Sequence, residues 1–413
     1  MLTRRITYFW LALFIAGPVC AMADDWVGSG RVLVVGQPST PCPGATYTTI
    51  GDAVSAAGPG DEIEICPALY AEQLIITKPL KLVGVEANGV NRVLLQPSLT
   101  DLMGLATEAV ITVMNTKGVV VENLAIDASH NTVASCSPSV AGVHFFDASG
   151  KVKDSAIFGA KLANPTNCNT LRYGNGYGVK IDSSQPGPFT VSVEHNSIHD
   201  YGADGVLVLG TGGTPITAEI DGNTISGPGP ALGTFQFGVF IAYGPVAHIK
   251  DNFITEGLCG SLTLSECIAV RSEGVTLRVP GDGTVVEGNI ISDAQSGIFI
   301  NGANDLKVTN NQISNIYGED GIDIQGTAAG YFTNSVIKGN HMFNTGVAAE
   351  GCGIWEAYGT GTISGNEISD NTVNDGYCGV AYAPPDMVGA GTYTNVLYSL
   401  VNTALPNPPD VEP

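Results

Sequence analysis

From Val119 to Ile368 the chain repeats one small pattern: an apolar residue, a short polar bend, a second apolar residue five positions on, and then a Gly-apolar-x-apolar run. The apolar pairs are Val121 with Ile126, Val152 with Ile157, Val193 with Ile198, Ile220 with Ile225, Ile249 with Ile254, Val286 with Ile291, Val308 with Ile313, Ile337 with Met342, and Ile363 with Ile368. Alternation of this kind predicts short strands separated by tight bends. Successive copies lie roughly 20 to 40 residues apart, so the insertions fall in loops outside a constant coil. Two copies lie almost back to back, Val286 to Ile300 and Val308 to Ile324.

Two residues before the second apolar member stand Asn196, Asn223, Asn252, Asn289, Asn311, Asn340 and Asn366. In coils stacked about 4.8 Å apart their amides would hydrogen-bond along the axis as a structural ladder. The strand that follows begins at Gly142-Val143, Gly178-Val179, Gly205-Val206, Gly238-Val239, Cys267-Ile268, Gly297-Ile298, Gly321-Ile322, Gly353-Ile354 and Gly379-Val380. Alternation turns the residue after each Gly inward and the next one outward. The outward column then reads His144, Lys180, Leu207, Phe240, Ala269, Phe299, Asp323, Trp355 and Ala381.

The ends of the chain break the pattern. Arg4 and Arg5, an apolar run from Ile6 to Val19 and Ala21-Met22-Ala23 resemble an export signal, which puts the protein in the periplasm or outside the cell. The apolar run is too short for a membrane anchor. Residues 24–48 read as a linker, and Tyr47 to Ala57 as a short helix that caps the open end of the coils. The β-helix domain then runs over 49–383, and 384–413, rich in Pro, forms a covering loop and tail.

The full chain carries 17 basic and 39 acidic residues. Loss of the leader makes it more acidic still, which excludes nucleic acid and anionic membranes as partners. A polyanionic substrate would need a bridging cation such as Ca²⁺. Beyond the leader the cysteine count is even, and in an exported protein that reads as disulfides. Sequence order pairs Cys42 with Cys66, Cys136 with Cys168, Cys259 with Cys267, and Cys352 with Cys378.

With these strands, the Asn column and the opening Pro59-Gly60-Asp61-Glu62-Ile63-Glu64-Ile65-Cys66-Pro67, the chain resembles the right-handed parallel β-helix proteins of the pectin-lyase-like superfamily from Thr49 to Ala383. The resemblance implies an all-β, single-stranded right-handed parallel β-helix, a fold that hosts lyases, hydrolases, esterases, epimerases and adhesins.

Candidate chemistry lies in the outward column. Phe240, Phe299 and Trp355 would stack on sugar rings, and Asp320 and Asp323 have the spacing of an acid/base pair for glycoside hydrolysis. Asp320-Gly321-Ile322-Asp323 is similar to part of the polygalacturonase motif, although Gly318-Glu319 replaces its Asn-Thr. Arg271, expected beside Asn301 of the next coil, is the candidate cation for a lyase. His195, His199, Asp200 and Asp204 form a separate local cluster. Two functions fit: a protein that binds or processes a polysaccharide as a lyase or hydrolase, and a non-catalytic surface or adhesion protein. The sequence leaves the oligomeric state open.

Overall fold

The computed structural model describes residues 30–38, 42–86, 93–99, 106–133, 137–162, 175–210, 215–229, 235–255, 257, 272–318, 320–326, 331–345, 352–358, 362–374, 378–382, 390–394, 397–399 and 411–412. Its strands form three long parallel sheets of 15, 12 and 12 strands, with each coil giving a strand to each sheet in turn. This is a parallel β-helix, and the apolar pairs explain it. The first members stack in one sheet, Val193 on Ile220 on Ile249 on Val286 on Val308 on Ile337. The second members stack in another, Ile198 on Ile225 on Ile254 on Ile291 on Ile313 on Met342. All of these side chains are buried and form one continuous core. Stacking gives each coil an apolar face that it could not bury alone.

The last coil differs from the expectation. Ile368, not Ile363, is the partner of Ile337, and Val373 is the partner of Met342. Ile363 pairs instead with Phe332 of a neighbouring short strand. The ladder therefore runs Asn196, Asn223, Asn252, Asn289, Asn311, Asn340 and Asn371. Each Oδ1 accepts both the backbone N–H and the Nδ2–H of the preceding Asn, as between Asn252 and Asn289 at 3.0 and 2.9 Å. Each Nδ2 also donates to a main-chain carbonyl, Asn289 to Ile249 at 2.9 Å. The amides are buried, so this mutual satisfaction is what permits a polar column beside an apolar core. Asn366 lies outside the column, and its Oδ1 accepts from the Ser335 N–H at 3.0 Å.

Helix Ile50–Ala56 lies at the N-terminal end with Ile50, Ala53 and Val54 buried. Thr49 caps it, its hydroxyl accepting from the Asp52 N–H at 3.2 Å. Glu72 accepts from the free N–H groups of Ile50 and Gly51 at 2.9 and 2.8 Å. Nearby, Cys42 and Cys66 form the first expected disulfide. Cys352 is also disulfide-bonded, and Cys378 is its Cα partner in the next coil. Cys136, Cys168, Cys259 and Cys267 lie outside the described residues, as do residues 1–23. No helix among the described residues is long and apolar enough to cross a membrane. The sheets continue past residue 384 through Ala390–Thr394, Leu397–Ser399 and Val411–Glu412.

Candidate active site

One 12-stranded sheet carries the chemistry. Its strands include Ser139–Phe146, Gly176–Asp182, Asp204–Leu209, Gln236–Ala242, Ser272–Arg278, Ser296–Asn301 and Ile322–Gly326. A glycine near the start of each strand shapes what faces outward. A Cβ on Gly205 would meet the side chain of Ile225 and lie 2.6 Å from the Gly238 carbonyl oxygen, so only a hydrogen fits there. Gly205 and Val206 are therefore both turned toward the core, which breaks strict alternation and turns Asp204 out. The same kink at Gly178 and Gly238 turns out Tyr177 and Phe237.

Each coil thus presents three outward side chains. Tyr177, Lys180 and Asp182 are followed in register by Asp204, Leu207 and Leu209, then by Phe237, Phe240 and Ala242, and then by Glu273, Thr276 and Arg278. Alternation alone predicts two of these columns and misses the residue before each glycine. That missed column contains Tyr177 and Asp204.

Asp204, Tyr177, Leu207, Leu209, Phe235, Phe237, Phe240, Tyr243 and Arg278 line a cleft of about 200 Å³. Its floor is a small apolar cluster, with the Phe237 and Phe240 rings 5.0 Å apart. Asp204 is 4% exposed, and its carboxyl makes no hydrogen bond among the described residues. Burial pushes that carboxyl well above the usual carboxylate range and so favours its neutral form.

Behind Tyr177 is a polar cluster of opposite character. Burial alone would push Asp182 up, but the His144 ring at 2.6 Å and the Lys180 ammonium at 3.0 Å outweigh it and hold the carboxyl below its ordinary value. Lys180 also donates to the Thr107 hydroxyl at 2.7 Å, and that oxygen is 2.8 Å from the Ser139 hydroxyl. Burial lowers the His144 pKa, so the ring is neutral and its Nε2–H donates to Asp182. Tyr177 is pushed up by burial and then by the two nearby carboxyls, Asp204 and Asp182. Its phenol stands between a neutral acid and an ionised carboxylate. Environments that drive two carboxyls apart in this way separate the roles of proton donor and proton acceptor.

The residues expected to bind substrate occupy a buried face. Phe240 lies in the floor of the cleft, whereas Phe299 is 3% exposed and Trp355 is half-buried. Phe299, Asp323 and Trp355 are in register as predicted. Asp323, 2% exposed, accepts from the Gln325 amide at 2.8 Å, and Asp320 accepts from the Cys352 N–H at 2.6 Å. Both carboxyls are thus engaged by protein donors in a buried position, unlike Asp204.

Arg271 lies outside the described residues. The expected coil at Cys267-Ile268 is replaced by Gly274-Val275, which stacks on Val239 and Ile298. Thr276 rather than Ala269 therefore fills the column between Phe240 and Phe299, and Arg278 rather than Arg271 is the partner of Asn301. Asp204 also parts from its sequence neighbours, because Asp200 is exposed and pairs with Lys161 at 2.9 Å. Among the described residues no group of three or more His, Cys, Asp or Glu side chains is placed to hold a metal ion.

The sequence profile described as "Right handed beta helix region" matches residues 166–384, more than half of the chain. The chain belongs to the right-handed β-helix family. Solved structures share this β-helix at low identity. An alginate lyase from Paenibacillus sp. str. FPU-7 is 12% identical with a TM-score of 0.51, over 76% of this chain and 96% of that one. A mannuronan C-5 epimerase A-module from Azotobacter vinelandii is 13% identical with a TM-score of 0.46, over 88% and 92%. A lacto-N-biosidase from Eubacterium ramulus is 13% identical with a TM-score of 0.48, over 90% and 68%. At these identities the likeness is one of fold. No curated protein matches the sequence.

Proposed function

We propose that this right-handed β-helix protein cleaves a polysaccharide by acid–base chemistry in the cleft above Asp204. The observation that carries the reading is a nearly buried carboxyl, without a hydrogen-bond partner among the described residues, facing an aromatic-lined cleft. Phe237 and Phe240 offer rings on which the apolar faces of a sugar can stack. Asp204, held neutral, donates its proton to the glycosidic oxygen as the bond to the anomeric carbon breaks. Water then supplies a hydroxyl to that carbon and releases its remaining proton to solvent. Asp182, which does not line the cleft, stays behind Tyr177 and five residues along the strand from the Asp204 position. Lys180 and His144 keep Asp182 ionised and in place.

The alginate lyase of the same fold offers a precedent for sugar-chain cleavage on this architecture. The basic, apolar and small-residue order of the first 23 residues and the Cys42–Cys66 disulfide support action outside the cytoplasm.

The test is release of reducing ends from a panel of neutral and uronate polysaccharides, with ultraviolet absorbance monitored for the unsaturated products of a lyase. Hydrolysis by the native chain that is lost in Asp204→Asn supports the proposal. Unsaturated products would replace hydrolysis with elimination. No cleavage of any polymer overturns the reading in favour of a non-catalytic surface protein.

A further inference from the structure

We infer that the cleft takes its polysaccharide in a fixed register, with an uncharged ring over Asp204 and an anionic substituent, a carboxylate or a sulfate ester, against Arg278. This deepens the cleavage reading and rests on it for the position of the bond that is cut.

Arg278 lines the same cleft as Asp204 but belongs to the coil two further along the axis. At about 4.8 Å per strand that places it roughly 10 Å away along the axis alone, a longer span than one sugar ring. Its guanidinium lies 5.9 Å from the centre of the Phe240 ring, which holds the cation against the cleft floor. Of the two described arginines, Arg31 is paired with Asp61 at 2.9 Å. The Arg278 guanidinium forms no ion pair or hydrogen bond among the described residues. Glu273, on its own strand, accepts from the Thr276 hydroxyl.

The chain has 39 acidic against 17 basic residues, so its overall field repels an anion. An open guanidinium in the cleft is the local feature that reverses this repulsion, and its planar fork matches carboxylate and sulfate oxygens.

The Asp204 end of the cleft is built for the opposite kind of group. Leu207, Phe235 and Phe237 line the cleft with Asp204, and Lys180 of the neighbouring coil is already bound to Asp182 at 3.0 Å. A carboxylate placed there would be buried without a counter-charge, at a large desolvation cost. The two ends therefore select an alternating or sparsely charged chain over one that carries a charge on every ring.

Binding can be measured with Asp204→Asn as the parent, so that no polymer is consumed. The probes are hyaluronan, with a carboxylate on alternate sugars, its carboxyl-reduced form, alginate, with a carboxylate on every sugar, and the pair dextran and a dextran sulfate so sparsely sulfated that most of its rings are uncharged. Hyaluronan is expected to bind at least about tenfold more tightly than its reduced form, and adding Arg278→Gln should abolish that difference while leaving the reduced form unaffected. Alginate should bind more weakly than hyaluronan. A preference for dextran sulfate over dextran that Arg278→Gln abolishes would assign a sulfate ester, and a preference confined to hyaluronan a carboxylate. Equal affinity for charged and uncharged polymers, including no measurable binding of either, overturns the subsite, as does an equal loss on both from Arg278→Gln. Alginate binding as tight as hyaluronan overturns the uncharged ring over Asp204. A native chain that cuts nothing yet keeps the Arg278-dependent preference fails the cleavage reading and keeps the subsite. A chain that cuts without that preference does the reverse.

Discussion

Tyr177 and Asp204 are Cα partners on neighbouring parallel strands, and both open into one cleft. The pairing puts a neutral acid beside a phenol whose other neighbour is an ionised carboxylate. Replacing Asp204 by Asn should therefore lower the turnover rate by about 100-fold or more, the usual contribution of a general acid. The same change should raise the melting temperature at pH 7. Burial raises the folded pKa of Asp204 above its unfolded value of 3.8, so above that pH the unfolded chain releases a proton that the folded chain retains. Stability then falls as pH rises until the folded group also ionises, and Asn removes this loss. Thermal unfolding of both proteins at pH 4 and pH 7 tests the sign: a gain at pH 7 no larger than at pH 4 would contradict it.

The Asp182 cluster responds to pH in the opposite direction. The folded carboxyl sits below its ordinary 3.8, so its stabilisation is present at neutral pH and disappears as pH falls through the depressed value. His144 is depressed below 6.5 by burial. Below that pH the unfolded chain takes up a proton first, and the fold weakens further. Asp182→Asn should cost about 3–5 kcal/mol by leaving the Lys180 ammonium buried and unpaired, and the double change Lys180→Met with Asp182→Leu should recover most of it. Denaturant melts of the single and double variants measure this directly.

Gly205→Ala should both destabilise the fold, by about 1–3 kcal/mol, and reduce cleavage. The added methyl meets Ile225 and the Gly238 carbonyl and re-aims Asp204. Gly297→Ala makes the same kind of clash, against Ile313 and Gly321, three coils from Asp204. It should cost stability while leaving the turnover of the folded fraction near native. Equal turnover for both variants, after correction for folded protein, would detach the kink from the site.

Asn289→Ala should cost about 2–4 kcal/mol, because it leaves two Asn252 donors and the Ile249 carbonyl without their partner. Activity per folded molecule should not change. An unaltered denaturation midpoint would argue against the ladder as a source of stability.

Much of this arrangement is legible in the chain itself. The apolar pairs identify the core because a half-buried strand must alternate, and the Asn column identifies the bends because only stacking makes one residue type recur there. Two features were harder to read. The Gly274-Val275-Thr276-Leu277 run carries the same signal as its neighbours, but Cys267-Ile268 competes with it, and the neighbouring registers decide between them. Tyr177 and Asp204 escape because the kink at Gly178 and Gly205 depends on how closely the next coil approaches, a distance that no single coil encodes. The long-range partners of Asp182 and Lys180, His144 and Thr107, likewise become visible only when distant coils are laid side by side.

The glycine kink also gives the sheet a simple grammar. In successive coils three side chains in register turn away from the main core, and where they are not tied to one another, as Lys180 and Asp182 are, the scaffold does not depend on which residue stands there. Coil by coil, the face reads as lines of three letters, and outside the Lys180–Asp182 pair they can be rewritten without moving the page. On such a surface a new specificity requires changed letters only, and the proton donor and the anion-binding group can drift apart or together by whole lines.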